Sequence, residues 1–300
     1  MKQRIPPRAL VLLAILTLVW GTNWPLFPLA VREVSVWTFR AVSVFVAGAA
    51  LLIVARWRGQ SLVIARRHWG TVAAATFCYL VVWNIASTYS ALLIPSGQSA
   101  VLGFTMPLWS ALIAWAVFGE RLGARLLAAI ALGGVAVALL MWKSFPVYAQ
   151  APLGLALGLL AGIGWAVGTL ILQRGRVDVP ATVLTGWQLL LTAAPTAAGA
   201  LLFGDLQWFV PSWQSIVLIG YIALVPMGVG NLCWFAIVGL LPGPVAGLSS
   251  ILVPVVAMIA GALIHDEPLG PVQWLAMACS AAALALALAK PTRPPAAEVA

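Results

Sequence analysis

Six side chains in this sequence carry rings, hydroxyls or amides at depths where most residues are apolar: Trp20, Asn23, Tyr79, Trp83, Trp165 and Asn231. Their spacing groups them. Trp20, Asn23, Trp24 and Phe27 recur at intervals of three and four, as do Tyr79, Trp83, Ser87 and Ser90, so each set shares one face of a helix. Trp165 stands between Gly164 and Gly168, where a backbone or a ligand can come close. Tyr221, Asn231 and Trp234 form a further group. Rings, hydroxyls and amides together suit a small organic solute with an apolar body and a few hydrogen-bonding groups. The competing reading is structural. Asn84 and Asn231 could bond a neighbouring helix, worth about 0.6–2 kcal/mol. Trp57, Trp69, Trp142 and Trp213 fall at the ends of apolar runs, as interfacial belt residues do.

Catalysis finds little support. His68 and His265 both lie at the ends of apolar runs, and no triad can be assembled. Cys78, Cys233 and Cys279 sit inside apolar runs and read as small hydrophobes, not as a disulfide framework. No spacing suits a metal, and no cofactor motif occurs, so catalytic residues, metal ligands and cofactors are all expected to be none.

The elements that hold these residues follow from composition. The chain of 300 residues is 63% hydrophobic and only 8% charged, against roughly 25% charged for a soluble domain. Lipid must be its solvent. A span needs about 20 apolar residues, which gives ten candidate helices near 9–31, 36–55, 70–90, 95–118, 125–142, 152–172, 181–203, 213–238, 243–264 and 271–289. The breaks at LLIPSGQ and LLPGP rest only on proline, serine and glycine. The N-terminus resembles a signal peptide, but its apolar run continues to spanning length without a prompt A-x-A-like site. It is expected to stay as a first membrane helix.

The net charge of +9 sits in short loops, which argues for topology and against nucleic acid. With the N-terminus inside, the cytoplasmic side receives Lys2, Arg4, Arg8, Arg56, Arg58, Arg66, Arg67, Arg121, Arg125, Arg174, Arg176, Lys290 and Arg293. The other side receives Arg32 and Lys143. Thirteen against two puts both termini in the cytoplasm.

Two stretches repeat each other. PLWSALIAWAVFGERLG starts at Pro107 and PVVAMIAGALIHDEPLG at Pro254, an offset of 147. The same offset carries Asn84 to Asn231, Pro95 to Pro242, Glu120 to Glu267 and Gly123 to Gly270; Trp20 and Trp165 are 145 apart. The chain therefore reads as an all-α polytopic membrane protein of two five-helix repeats, 1–147 and 148–290, with a disordered tail at 291–300. An odd number of helices per half makes the repeat inverted, and inverted repeats place a transport site between halves near the midplane.

At this point the sequence resembles a known family. FGERLGARLLAAIALGGVAVAL, closing the first half, is similar to the EamA repeat of the drug/metabolite transporter superfamily. The second copy, HDEPLGPVQW, has Asp266 where glycine is usual and Pro268 where arginine is usual. The tryptophan-rich ten-helix form resembles bacterial amino-acid exporters of the YddG type. The resemblance implies export of amino acids, aromatic and other neutral ones, from an inner membrane by alternating access. The alternatives are a drug or nucleotide-sugar carrier and, from another class, an intramembrane enzyme. A small-molecule substrate and the bilayer are the expected partners, and the chain is expected to work as a monomer.

Substrate contact is thus expected at Trp20, Asn23, Tyr79, Trp83, Trp165 and Asn231, and gating or structural roles at Pro25, Pro107, Pro254, Glu120 and Glu267. The two glutamates are expected to cap the helix that follows each. Arg40, the one cation inside a span, could snorkel to the interface or hold a substrate carboxylate. Every Asp, Glu and His lies near the end of an apolar run or in the tail, so transport down the solute's own gradient is expected.

Overall fold

The computed structural model describes residues 7–119, 123–143, 145–204, 210–240, 250–267 and 269–288. Glu120, the LLPGP break after Leu240, Pro268 and the tail at 291–300 lie outside the described residues. Every regular element among them is helical.

The first helix, α1 (Pro7–Asn23), runs through a tight 3₁₀ turn at Trp24–Leu26 into the short α2 (Phe27–Ala30). Pro25 falls in that tight turn, and without an N–H it cannot continue the α-helical bonding of α1. α3 (Val36–Trp57) follows, started by Ser35, whose hydroxyl accepts the Thr38 N–H at 3.1 Å. α4 (Trp69–Thr76) and α5 (Val82–Leu93) are one rod joined by a π-helical stretch at Phe77–Val81. α6 (Ser96–Gly103) and α7 (Met106–Phe118) form the next rod, then α8 (Ala124–Lys143) and the short α9 (Phe145–Gln150). α10 (Pro152–Gly175) and α11 (Ala181–Phe203) are unbroken. α12 (Trp213–Ile222) passes through a second π-helical stretch, Ala223–Gly230, into α13 (Asn231–Leu240). α14 (Val253–His265) and α15 (Pro271–Leu288) close the chain. Eight of these rods are long and apolar enough to cross a membrane; α14 is a shorter apolar helix of 13 residues.

The repeat is written in the backbone. α7 and α14 have bounds 147 residues apart at both ends, and each carries its proline, Pro107 or Pro254, in the first turn. Each ends on a left-handed residue, Gly119 at φ 66° and Asp266 at φ 53°. Aspartate is one of the few L-residues that visits this region. The replacement of glycine by Asp266 therefore keeps the turn. The two π-helical stretches also correspond, and each is followed by an asparagine, Asn84 or Asn231.

Glycine decides how closely the rods meet. A Cβ at Gly48 would come within 3.0 Å of the Gly186 carbonyl, so α3 and α11 touch through backbone. Gly154, Gly158 and Gly162 seat α10 against Ile94, Leu102 and Thr105, where added Cβ atoms would stand at 2.8–2.9 Å. Small residues serve this purpose between helices in lipid. Large apolar side chains such as Val11, Leu18, Phe45 and Leu263 stay exposed, as a lipid-facing surface requires.

Three polar contacts join the two halves at one end of the bundle. The Glu267 carboxylate accepts the Ser96 N–H at 3.0 Å, the Ser96 hydroxyl at 2.6 Å and the Gly97 N–H at 3.3 Å. It therefore caps α6 of the other half, not α15, which follows it. This corrects the expectation from sequence: a helix N-terminus attracts a carboxylate through its unpaired N–H groups wherever the chain supplies one. Glu33 accepts the N–H and the hydroxyl of Ser212, both at 2.7 Å, at the start of α12. His265 Nε2 lies 2.6 Å from the Pro25 carbonyl. A carbonyl only accepts, so the proton must be on Nε2.

Candidate functional site

Where the rods converge, aromatic rings fill the space between them. Trp165 on α10 is the hub. Its ring centroid lies 4.8 Å from Trp83, 5.3 Å from Tyr79, 5.5 Å from Trp20 and 6.0 Å from Trp234. All four pairs are edge-on, the geometry that sets the positive edge of one ring against the negative face of the next. Trp20 adds contacts to Phe104 at 6.2 Å and Trp234 at 5.8 Å. Trp24 reaches Trp83 at 5.9 Å and Phe27 at 5.5 Å. Trp20, Trp24, Tyr79, Trp165 and Trp234 are all buried. The repeat-related pair Trp20 and Trp165 thus meets face to edge within the buried cluster.

Glycines make this convergence possible. A Cβ at Gly164 would stand 2.6 Å from the Cys78 carbonyl, and one at Gly168 would stand 2.5 Å from Tyr79 Cβ. A Cβ at Gly230 would stand 2.2 Å from Trp20 Nε1. Gly230 is the counterpart of Trp83 under the offset of 147, so the space that one half fills with an indole the other half leaves for Trp20.

The polar atoms around the rings are incompletely paired. Trp20 Nε1 donates to the Pro226 carbonyl at 3.0 Å, within the second π-helical stretch. Tyr79 donates its hydroxyl to Gln188 Oε1. The amides of Asn84 and Asn231 do the same thing in each half: Nδ2 donates to the carbonyl four residues back, Leu80 at 2.8 Å and Met227 at 2.7 Å. Their Oδ1 atoms have no partner among the described residues, nor do Asn23 Oδ1, Ser87 Oγ, Trp165 Nε1 and Gln188 Nε2. Buried polar groups are ordinarily satisfied, and an unmade bond costs about 1–3 kcal/mol each. A set of them around one ring cluster is the pattern of a binding site.

Arg40 departs most from expectation. It does not snorkel: its side chain is fully buried. Nε donates to Thr88 Oγ1 at 2.6 Å, and the guanidinium carbon lies 4.2 Å from the Phe27 ring centroid and 4.8 Å from that of Phe39. Nη1 and Nη2 have no partner among the described residues. Cation–π contacts are worth roughly 0.5–2 kcal/mol, less than the several kcal/mol that desolvating an unpaired charge costs.

Of the residues singled out in the sequence, the structure brings Trp20, Tyr79, Trp83 and Trp165 into one cluster. Asn23 and Asn231 are buried on the helices that carry it. Pro25, Pro107 and Pro254 start helical turns, and Glu267 joins the halves; Glu120 lies outside the described residues. Sequence reasoning missed Phe104, Thr88 and Gln188. Gln188 had a signal, an amide in the apolar run TGWQLLL; an ordinary phenylalanine such as Phe104 had none. Among the described residues no group of three histidines, cysteines or acids could hold a metal.

A family model described as the EamA-like transporter family matches this chain twice, at residues 7–142 and 152–289. A protein named an uncharacterized transporter, YvbV, of Bacillus subtilis is 24% identical over 90% of this chain and 88% of its own length. An uncharacterized protein of Pseudomonas aeruginosa is 32% identical, covering 89% of this chain and 90% of its own. A probable amino-acid metabolite efflux pump of Escherichia coli is 26% identical, covering 88% and 89%. One solved crystal structure superimposes with a TM-score of 0.72 at 20% identity, over 93% of this chain and 96% of that one. That likeness speaks to the fold alone.

Proposed function

Since the chain belongs to the EamA-like transporter family, with two copies of the family's repeat in a multi-pass helical membrane protein, we propose that it exports neutral amino acids, aromatic ones included. The observation that carries this reading is the buried ring cluster, surrounded by amides and hydroxyls with bonding capacity left over. Rings accept an apolar side chain, and the spare polar atoms accept a backbone-like head group. The printed name of the Escherichia coli relative, a probable amino-acid metabolite efflux pump, agrees with it.

The proposed architecture has ten crossings in two inverted five-helix repeats, 1–147 and 148–290, with both termini in the cytoplasm. The cation count supports the orientation. The outer end would then be the one fastened by Glu267 to Ser96, Glu33 to Ser212 and His265 to Pro25. Rocking of the halves breaks these contacts and parts the rings around a solute, which is alternating access. Trp20, Asn23, Tyr79, Trp83, Trp165 and Asn231 touch the substrate in this scheme. The prolines and Glu267 keep the turns and the fastening.

Among the described acids, Glu33 and Glu267 lie at helix ends and none contacts the ring cluster. A proton-coupled carrier needs an ionisable group that alternates between buried and wet. Transport is therefore proposed to run down the solute's own gradient, by one chain without a cofactor. The test is efflux of labelled L-phenylalanine, L-leucine and L-threonine from proteoliposomes, with and without an imposed pH gradient. Efflux independent of that gradient is expected. Accumulation against the solute gradient, driven by protons alone, would overturn the facilitated reading, and no flux of any amino acid would overturn the substrate class.

A further inference from the structure

The side chains around Arg40 form a site with its own chemistry. Thr88 donates its hydroxyl to the Asn84 carbonyl at 2.7 Å, which turns an oxygen lone pair toward Arg40 Nε at 2.6 Å. That bond fixes the plane of the guanidinium. Phe27 and Phe39 lie against it. The edge that carries Nη1 and Nη2 is left, with donors in a fixed fork and no acceptor among the described residues. One helical turn below Thr88, Asn84 holds an oxygen, Oδ1, that is buried and has spare accepting capacity. Beyond Phe27 the rings continue as an unbroken series through Trp24, Trp83 and Trp165.

We infer that Arg40 is the anchor for the substrate's carboxylate, and that this chain selects solutes carrying a carboxylate on an apolar body. A guanidinium fork offers parallel N–H groups that match the two oxygens of a carboxylate, and the match is strongest in a site closed to water. The single positive charge suits a monoanionic head group better than a phosphate dianion. Asn84 Oδ1 then serves an ammonium group beside the carboxylate, and the series of rings takes the side chain. The site is asymmetric: the second half has Trp187 and Gln188 in the corresponding stretch and no cation. A solute is therefore held with its head group toward α3 and α5.

This inference rests on the transport reading for why a solute enters, and a binding experiment separates the two. The purified full chain in detergent is titrated with 3-phenylpropanoate, L-phenylalanine, L-phenylalaninamide and phenethylamine, followed by calorimetry. The two carboxylates are expected to bind at least tenfold more tightly than the amide and the amine. Arg40→Gln is expected to bring the carboxylates down to the level of the amide and leave the amide unchanged. Arg40→Lys, which keeps the charge without the fork, should fall between them. Equal binding of acid and amide by the wild type would overturn the anchor, as would failure of all four to bind. An equal loss for both in Arg40→Gln would do the same. The wild-type series decides by itself if the variants do not fold. Carboxylate binding without any transport would refute amino-acid export and leave the anchor standing.

Discussion

Gly230→Ala adds one methyl group to the centre of the ring cluster. The new Cβ would stand 2.2 Å from Trp20 Nε1 and 2.6 Å from its Cδ1, so the indole must move. The ring is held by its own bond to the Pro226 carbonyl at 3.0 Å. Overpacking of this kind costs about 1–3 kcal/mol, and losing the Trp20 bond costs about 0.5–1.5 kcal/mol. Alanine returns up to about 1 kcal/mol through its helix propensity. The net loss is therefore about 0.5–4.5 kcal/mol. Gly220, on the same rod, has nothing within 4 Å of its added Cβ, so Gly220→Ala should be neutral or slightly stabilising. Thermal melting in detergent should put Gly230→Ala clearly below both the wild type and Gly220→Ala. Counterflow of L-phenylalanine should slow in Gly230→Ala alone. Trp20→Ala removes the ring atoms that clash, so the double variant should be less damaged than the two single effects combined. If Gly230→Ala melts like Gly220→Ala, or if the double variant is additive, Trp20 is not held as described.

Further outcomes follow from the same geometry. Trp83→Ala and Trp165→Ala should reduce counterflow while the protein stays in the membrane, and Trp57→Ala, at 83% exposed, should not; equal effects would make the cluster mere packing. The hydrogen bonds from Ser212 hold the Glu33 carboxyl below the ordinary carboxylate pKa of 4.5. Its contribution is present above the unfolded pKa and is lost as pH falls through the folded one. Acidification below about 4.5 should therefore loosen the 33–212 contact, read by a spin-label distance across it, and Glu33→Gln should remove that pH dependence. Glu267→Ala leaves the α6 terminus uncapped and should cost about 0.5–2 kcal/mol in a thermal melt. Reporters fused after Lys143 and after Lys290 should report opposite sides of the membrane; the same side for both would remove the inverted repeat.

Much of this was legible in the sequence because lipid imposes strict rules. Apolar run length marked the rods, and the rare residues Asn and Glu, with prolines at the same offset, carried the repeat through a composition in which Ala and Leu matches mean little. Trp20, Tyr79, Trp83 and Trp165 stood out by their helical spacing and by the kinked or glycine-rich segments that carry them. The π-helical stretches did not, because FCYLV and ALVPMGVG are short and almost uniformly apolar, so the change of face that i→i+5 bonding brings has no strongly polar residue to show it. Pro226 alone hinted at the second, and nothing hinted at Phe77–Val81. The partner of Glu267 is 171 residues away, and a local rule naturally pointed to the next helix instead. Of the two readings that the sequence left open for Arg40, snorkelling fails because that rule assumes lipid beside a cation near a span end. Here Phe27, Phe39 and Thr88 enclose it, and only the packing of three rods brings them there.

The central claim is that a solute passes through the ring cluster as it opens to each side in turn. Ser87, fully buried on the helix between Trp83 and Thr88, reports this directly. A chain with Cys78, Cys233 and Cys279 replaced by serine and with Ser87→Cys is reconstituted in one orientation. A membrane-impermeant maleimide is then added from either side, with and without saturating L-phenylalanine. The account predicts slow labelling from both sides and protection by L-phenylalanine but not by L-phenylalaninamide. Labelling from one side only in a transporting protein, or rates unchanged by the amino acid, would contradict it.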